Sequence, residues 1–276
     1  MTNQKKITKK IGPWGYTIAA IVLMIVFLFP VYWMINVSLQ SGGSASVTPL
    51  IPVEISFEGY KRAFVEQLPF LRTSLIIAIG SVVLSLLIAT PGAYALARYR
   101  IPGSQLFILI ILLTQMIPGI VVANALYGFY SDVGLLNSIP GLILADASLG
   151  VPFALLILHP FMKSIQPAIL EAAEIDGAGP LRTFIQVVLP MSRNALVTAG
   201  LFSFLFAWGD FLYALTLTTN EAVRPVTLSL YTYLGAFVQD WSTVMATAVM
   251  ASVPAILLLV VAQKYVSAGI SAGAVK

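Results

Sequence analysis

The sequence has no cysteine, one histidine and little charge: fifteen Lys or Arg and eleven Asp or Glu among 276 residues. Without cysteine, the chain has no disulfide and no thiolate nucleophile or metal ligand, and with one histidine we predict no metal site. Soluble domains carry about 25% charged residues, whereas this chain carries 9%. This composition excludes a soluble enzyme, a disordered chain and a nucleic-acid-binding protein.

The sequence is instead rich in long apolar runs, and 59% of its residues are hydrophobic. A bilayer core of about 30 Å requires roughly 20 apolar residues per helix. Stretches that meet this requirement lie at about 14–38, 70–97, 105–130, 138–162, 195–217 and 242–264. We therefore predict an all-α integral membrane protein with six transmembrane helices. The first run is longer than the apolar region of a signal peptide, so an uncleaved span is favoured over a cleaved leader.

The distribution of basic residues predicts the orientation of the chain. If the N-terminus is cytoplasmic, eleven of the fifteen Lys and Arg fall on the cytoplasmic side, as the positive-inside rule requires. Both termini are then cytoplasmic. The predicted organisation is a cytoplasmic N-terminus 1–13, a first transmembrane helix 14–38, an extracytoplasmic loop 39–69 with short surface elements, a five-helix core 70–264 and a cytoplasmic tail 265–276.

The core includes a cytoplasmic loop at 163–194 that is too short and too charged to cross a membrane. Pro167 suits the first turn of a helix and Gly177 the left-handed position that ends it. Pro180 then begins a second short helix, which we predict to stop at Pro190. By composition alone, this hairpin either just closes the loop, or places a helix and its acidic residues in a partner's groove.

The stretch EAAEIDGAGPLRTFIQVVLP at 171–190 resembles the EAA signature of permease subunits of bacterial ABC importers. That signature is Glu-Ala-Ala, three residues, Gly, nine residues, an aliphatic residue, one residue, then Leu-Pro. Here Val187 replaces the usual isoleucine. The segments AYALARYRIPG (93–103), GLLNS (134–138) and SAGISAGAVK (267–276) resemble maltose-type carbohydrate permeases, whereas Gly209 and Thr73 replace asparagines that are usual there.

The resemblance implies a set of partners. Two homologous permease subunits form the pore in the lipid of a prokaryotic plasma membrane, two cytosolic ATPase subunits dock on their EAA loops, and an extracytoplasmic binding protein delivers a sugar-like solute. This chain has no phosphate-binding loop of the form G-x-x-x-x-G-K-[ST]. We therefore expect it to be non-catalytic and to bind no cofactor, with ATP and Mg²⁺ on the ATPase subunits.

The resemblance also assigns roles in the loop. The 167–179 segment is the expected coupling helix, through which ATP-driven closure of the ATPase subunits causes alternating access by rigid-body rocking. Glu171 is expected to pair with an ATPase arginine, and Gly177 to end the helix. The expected docking residues are Glu171, Ala172, Ala173, Glu174, Asp176, Gly177 and Ala178.

Polar residues within the apolar runs are candidates for the solute pathway. An Asp at the centre of a transmembrane helix costs about 2.5–3.5 kcal/mol, so it needs a compensating interaction. The candidates are Asp210, Trp208, Asp146, Asn124 and Gln115. For both Asp residues an internal hydrogen bond is the alternative, and for Trp208 simple packing. Nine positions along one helix separate Gln115 from Asn124, which places them on roughly opposite faces.

Two other functions are open to a chain of this composition. An ion-coupled secondary transporter would act without an ATPase, but it would be expected to show inverted repeats, which the sequence does not display. An intramembrane enzyme would need a catalytic motif such as G-x-S-x-G or H-E-x-x-H, and neither is present. Prolines at Pro118 and Pro152 interrupt two predicted spans, either as fixed kinks or as breaks along a translocation path.

Overall fold

A computed structural model describes residues 13–41, 49–52, 54–235 and 240–274. Most of the predicted N-terminal segment 1–13, part of the predicted outer loop and the end of the predicted tail lie outside these ranges. Within them, regular secondary structure is helical, apart from one isolated bridge between Gln40 and Ile55.

The helices follow one another along the chain with short connections. They are α1 (Pro13–Ser38), α2 (Glu58–Arg98), α3 (Ser104–Thr114), α4 (Gly119–Val133), α5 (Ile139–Lys163), α6 (Pro167–Ile175), α7 (Pro180–Thr183), a π-helical segment (Phe184–Val188), α8 (Leu189–Met191), α9 (Arg193–Gly209), α10 (Leu212–Leu217), α11 (Val226–Gly235) and α12 (Trp241–Ala274).

Four of the described helices are long and apolar enough to cross a membrane, namely α1, α2, α5 and α12. Two further pairs of helices satisfy the same test together but are bent, α3 with α4 by 95° and the 180–191 segment with α9 by 76°. Counting each bent pair as one span gives up to six spans. The predicted all-α membrane fold class is confirmed, and the cytoplasmic location of both termini stays a prediction.

Helix α2 is longer than predicted, because it begins at Glu58 and not near Phe70. Its 41 residues correspond to about 60 Å at 1.5 Å per residue, roughly twice the thickness of the hydrocarbon core. The Oγ of Ser56 accepts a hydrogen bond from the N–H of Glu58 at the start of the helix. Residues 58–69 are thus helical. The predicted span began near Phe70 because a hydropathy criterion detects only the lipid-crossing part of a helix.

The predicted span 105–130 is interrupted at Pro118, as the sequence indicated, and α3 and α4 meet there at a bend of 95°. Pro118 has no N–H to continue the helical ladder, and its ring disfavours a helical conformation at Ile117. Pro118 itself is extended, with ψ of 129°, and caps the start of α4. Pro152, in contrast, does not interrupt α5, which runs on to Lys163.

Two further differences concern predicted loops. The second helix of the 163–194 hairpin does not stop at Pro190, which lies within α8. The preceding π-helical turn, in which the N–H of Leu189 donates to the carbonyl of Phe184, leads directly into this proline. The segment between the last two predicted spans contains α11, a helix that the hydropathy pattern did not indicate.

The chain divides into two compact units, residues 1–65 with 237–249, and residues 66–236 with 250–276. In the first unit, Asp240 accepts hydrogen bonds from Ser242 and Thr243 at the start of α12 and pairs with Arg62 at 2.8 Å. Burial of the Asp240 carboxyl raises its pKa, but these hydrogen bonds and the Arg62 charge outweigh burial and lower the pKa below its ordinary value.

In the second unit, α2, α5 and α9 pack through small side chains. The buried core there includes Ala89 and Ala93 of α2, Ala154 of α5, and Ala195 and Ala199 of α9. Small residues at such spacings let transmembrane helices approach closely. At Gly150 of α5 a Cβ atom would lie 2.3 Å from the Oγ of Ser85 on α2, which shows how near the two helices are.

The corner between α4 and α5 is closed by the GLLNS segment. Gly134 ends α4 with φ of 72°, and Asn137 adopts φ of 54°. The side-chain oxygen of Asn137 accepts hydrogen bonds from the backbone N–H groups of Thr219 and Asn220. Ser138 then caps α5 by accepting from the N–H of Gly141 at 3.1 Å. This corner therefore joins the beginning of α5 to the end of α10.

Replacing Gly141 by Ala is expected to destabilise the protein by about 1–3 kcal/mol through overpacking. A Cβ atom at this position would lie 2.3 Å from the carbonyl oxygen of Leu135, a backbone atom that cannot rotate away. The control is Gly128→Ala on α4, where a Cβ atom would have no neighbour within 4 Å. Thermal unfolding in detergent checks this, and equal stability of the two variants would contradict the packing described for the corner.

Candidate functional site

Helix α6 is a nine-residue helix whose two ends are defined by its sequence. Pro167 occupies the first turn, where its missing N–H costs nothing. At the other end, the N–H of Gly177 donates to the carbonyl of Glu174 and that of Ala178 to the carbonyl of Ala173. With Gly177 at φ of 79°, this is the Schellman arrangement, and the predicted left-handed glycine is observed.

One face of α6 contacts the rest of the second unit. Leu170 is 6% exposed and belongs to the hydrophobic core that includes Met162 and Val188. One turn later, the Oε1 atom of Glu174 lies 3.2 Å from the Nη2 atom of Arg98, at the end of α2. Residues four apart lie on the same side of a helix, so Leu170 and Glu174 together define the attached face.

The side of α6 next to this attached face is open to solvent. Glu171 is exposed and forms no salt bridge with any other residue that the structure describes. Ile175, one turn further along, is 86% exposed. Beyond the glycine turn, Leu181 and Ile185 are 69% and 51% exposed, and a shallow groove of about 490 Å³ lies along residues 179–186. This short loop thus presents an acidic side chain beside exposed aliphatic side chains.

The structure divides the seven predicted docking residues into two groups. Glu171, Ala172, Asp176 and Gly177 are exposed, whereas Ala173 and Ala178 are half-buried. Glu174 is exposed but its carboxylate points to Arg98. The role of these residues in docking stays a prediction. The sequence reasoning missed Arg98, which it counted only as a positive charge on the cytoplasmic side. Its position in the AYALARYR segment, which resembles maltose-type permeases, was the feature of the sequence that could have pointed to Arg98.

Of the predicted pathway residues, the two aspartates differ in their surroundings. Asp146 on α5 is buried, with 5% of its surface exposed. Asp210 lies in the break between α9 and α10, and its carboxylate accepts the N–H groups of Tyr213 and Ala214 at 3.2 and 3.0 Å. Asp210 therefore caps the start of α10. This is the internal hydrogen bonding predicted from the sequence as the alternative to a role in the pathway.

The other three candidates have different surroundings. Trp208 is 8% exposed, stacks on Phe204 at 5.5 Å and donates its indole N–H to the carbonyl of Ala251, which agrees with packing. Gln115 and Asn124 are exposed and lie on either side of the 95° bend. The prediction that they occupy opposite faces assumed one continuous helix, and the bend shows that this assumption is wrong. The contribution of all five residues to a solute pathway stays a prediction.

Replacing Gly177 by Ala is expected to weaken the end of α6. The Cβ atom would have free space, with nothing within 4 Å, so the cost comes from the left-handed backbone alone, about 1–2 kcal/mol. Gly177→Asn is the control, because asparagine tolerates this conformation. Hydrogen exchange of amides 171–178 should speed up in the alanine variant and change less in the asparagine variant. Equal protection in the three proteins would contradict this account of the turn.

Comparison with known proteins places these features in context. The family model described as "Binding-protein-dependent transport system inner membrane component" matches residues 81–272. The chain is 33% identical over 255 residues to the trehalose transport system permease protein SugB of Mycobacterium tuberculosis, covering 90% of this chain and 92% of that protein.

Two further comparisons extend over nearly the whole chain. Identity to the diacetylchitobiose uptake system permease protein DasC of Streptomyces coelicolor is 33% over 265 residues, covering 94% of this chain and 95% of that protein. Among solved structures, one chain of a bacterial ABC transporter involved in the import of the acidic polysaccharide alginate is 27% identical, with a TM-score of 0.77. That match covers 91% of this chain and 96% of the other.

Proposed function

The chain belongs to the family of inner membrane components of binding-protein-dependent transport systems, and from this premise we propose that it forms part of the pore of an ATP-driven carbohydrate importer in a prokaryotic plasma membrane. As a permease subunit of this family it is a multi-pass membrane protein without catalytic activity. The names of its relatives, which refer to trehalose, diacetylchitobiose and alginate, support a carbohydrate as the solute.

Coupling to ATP is assigned to the loop formed by α6, α7 and the π-helical segment. The observation that carries this proposal is the exposed face of the loop. There the carboxylate of Glu171, which has no ion pair within the described residues, lies on the same short helix as the exposed Ile175. A helix of this kind inserts its aliphatic side chains into a groove on a partner, and its carboxylate pairs with an arginine there. The partner is a cytosolic ATPase subunit that binds ATP and Mg²⁺.

The complete importer contains two ATPase subunits, a second homologous permease and an extracytoplasmic solute-binding protein. The family description itself names dependence on a binding protein, and the chain contains no phosphate-binding loop of its own. When the ATPase subunits close around ATP, the docked α6 moves with them. Because Leu170 of α6 is buried among residues of α5 and neighbouring helices, that displacement is passed to the membrane core and alternates access to the pore.

The competing function, an ion-coupled secondary transporter that needs no ATPase, has less support. Membership in a binding-protein-dependent family argues for an assembly with other subunits. In addition, the carboxylate of Asp210 is engaged with backbone N–H groups at the start of α10, which accounts for its place in the fifth apolar run without a role in ion binding.

The proposal predicts that an ATPase subunit co-purifies with this chain. An affinity tag on the chain in its native membrane, followed by mild detergent and mass spectrometry, should recover an ATPase and a second permease in fixed ratio. The recovered complex should hydrolyse ATP in lipid nanodiscs. Solute transport by the purified chain alone, with no ATPase recovered, would instead support the secondary transporter.

Glu171→Gln is expected to weaken ATPase binding by about tenfold or more, since a hydrogen bond to a charged group contributes roughly 1.5–3 kcal/mol. The substitution keeps the size of the side chain and removes only its charge. Glu58→Gln is the control, an exposed glutamate on α2 that lies outside the loop and pairs with Lys61. Titration of ATPase subunits onto the chain in nanodiscs measures both. Unchanged affinity of the Glu171 variant would refute the assigned contact.

A further inference from the structure

Two glutamates of α6, three residues apart, have different surroundings. Glu174 pairs with Arg98 across 76 positions of sequence, with a distance of 3.2 Å between Nη2 and Oε1. Glu171 is exposed and has no ion pair within the described residues. At 100° per residue, side chains three apart lie about 60° apart around the helix. A rotation of α6 by about 60° about its axis would therefore bring the carboxylate of Glu171 to the position that Glu174 now occupies.

The attached side of α6 is incompletely packed. A cavity of about 200 Å³ lies beneath the helix, lined among others by Tyr94, Arg98, Lys163, Pro167 and Leu170. Beside this cavity, the contacts of α6 include buried Leu170 and the Arg98–Glu174 pair.

A ring contact beside α6 adds to the attachment of the loop. The rings of Tyr94 on α2 and Phe184 in the π-helical segment are 5.1 Å apart. Both rings also pack against the hydrophobic core that contains Leu170 of α6. The contact therefore holds this side of the loop in place, while Arg98 engages the carboxylate of Glu174.

We propose that Arg98 is a positioning residue that engages Glu174 and thereby leaves Glu171 facing the ATPase partner. This inference rests on the proposed function and deepens it. Arg98 is the last residue of α2, so the ion pair also connects the coupling helix directly to the end of a membrane-spanning helix. Without Glu174, the guanidinium of Arg98 would attract Glu171, and the docking carboxylate would be neutralised within the chain.

The ion pair is suited to orientation and contributes little to stability. The side chains of Arg98 and Glu174 are 30% and 59% exposed, and ion pairs that are open to water contribute little to folding. Variants of either residue should therefore insert and fold normally. These variants should instead change the direction in which α6 faces, and charge reversal of both partners should restore that direction. If Glu174 instead contacted the ATPase directly, charge reversal would not restore ATPase binding.

The first test measures the position of α6. Because the chain has no cysteine, spin labels can be introduced at Ala168 on the exposed side of α6 and at Leu144 on α5. Double electron–electron resonance on the full chain in nanodiscs should give one narrow distance. Arg98→Glu should abolish that single distance, and Arg98→Glu with Glu174→Arg should recover it. Lys163→Glu is the matched control, an exposed cation that also lines the cavity and makes no salt bridge within the described residues.

The second test measures ATPase affinity in the same four proteins. Arg98→Glu should lower it by about tenfold, within the usual range of coupling between sites, and the reversed pair should restore it to within about twofold of the unaltered chain. An unchanged distance and affinity in Arg98→Glu, or failure of the reversed pair to recover either, would overturn the inference. If the unaltered chain binds no ATPase, the proposed function fails. The distance measurements alone then decide whether Arg98 positions α6.

Discussion

Hydrocarbon offers no hydrogen-bond partner to a polypeptide backbone, so a chain that crosses a bilayer satisfies its amide groups within helices. The breaks in this chain show how strictly that requirement applies. At the break before α10, the carboxylate of Asp210 accepts two backbone N–H groups that would otherwise lack partners. At the bend before α4, Pro118 has no N–H to satisfy. The helices are therefore interrupted where a side chain accepts the free backbone N–H groups, or where a proline has no N–H group to satisfy.

The same requirement explains why the loop after α5 differs from the rest of the molecule. The helices of the second unit pack through alanine and glycine, and their outer surfaces are apolar. In contrast, α6 is short, ends in a glycine turn and exposes carboxylates beside Ile175. A surface of this kind suits an aqueous protein partner, whereas the apolar faces suit lipid. In the function proposed for the chain, the loop meets the ATPase subunit and the apolar faces meet lipid.

Sequence patterns predicted the all-α membrane class, the places of the long apolar runs, and Gly177 at its left-handed turn. These follow from local chemistry, since hydropathy and backbone preference act within a few residues. The start of α2 at Glu58 was missed because helix formation outside the bilayer does not need apolar side chains. The 95° bend depends on Pro118, whose presence was noted, but whether a proline breaks or merely kinks a helix depends on its neighbours, as Pro152 within α5 shows.

The sequence by itself determined the solvent of this protein, the class of its fold and, through the EAA-like stretch, the segment that most resembles an ATPase-docking site. Only the tertiary structure decided which of two chemically identical glutamates is paired within the chain. Glu171 and Glu174 stand on one helix with the same side chain, and although Glu171 begins the EAA-like stretch, no local pattern shows that Glu174 has a partner within the chain. The distinction arises because folding brings Arg98, 76 residues earlier, within 3.2 Å of Glu174. Which glutamate pairs with Arg98 depends on how helices that are distant in sequence pack together, and local sequence does not encode that packing.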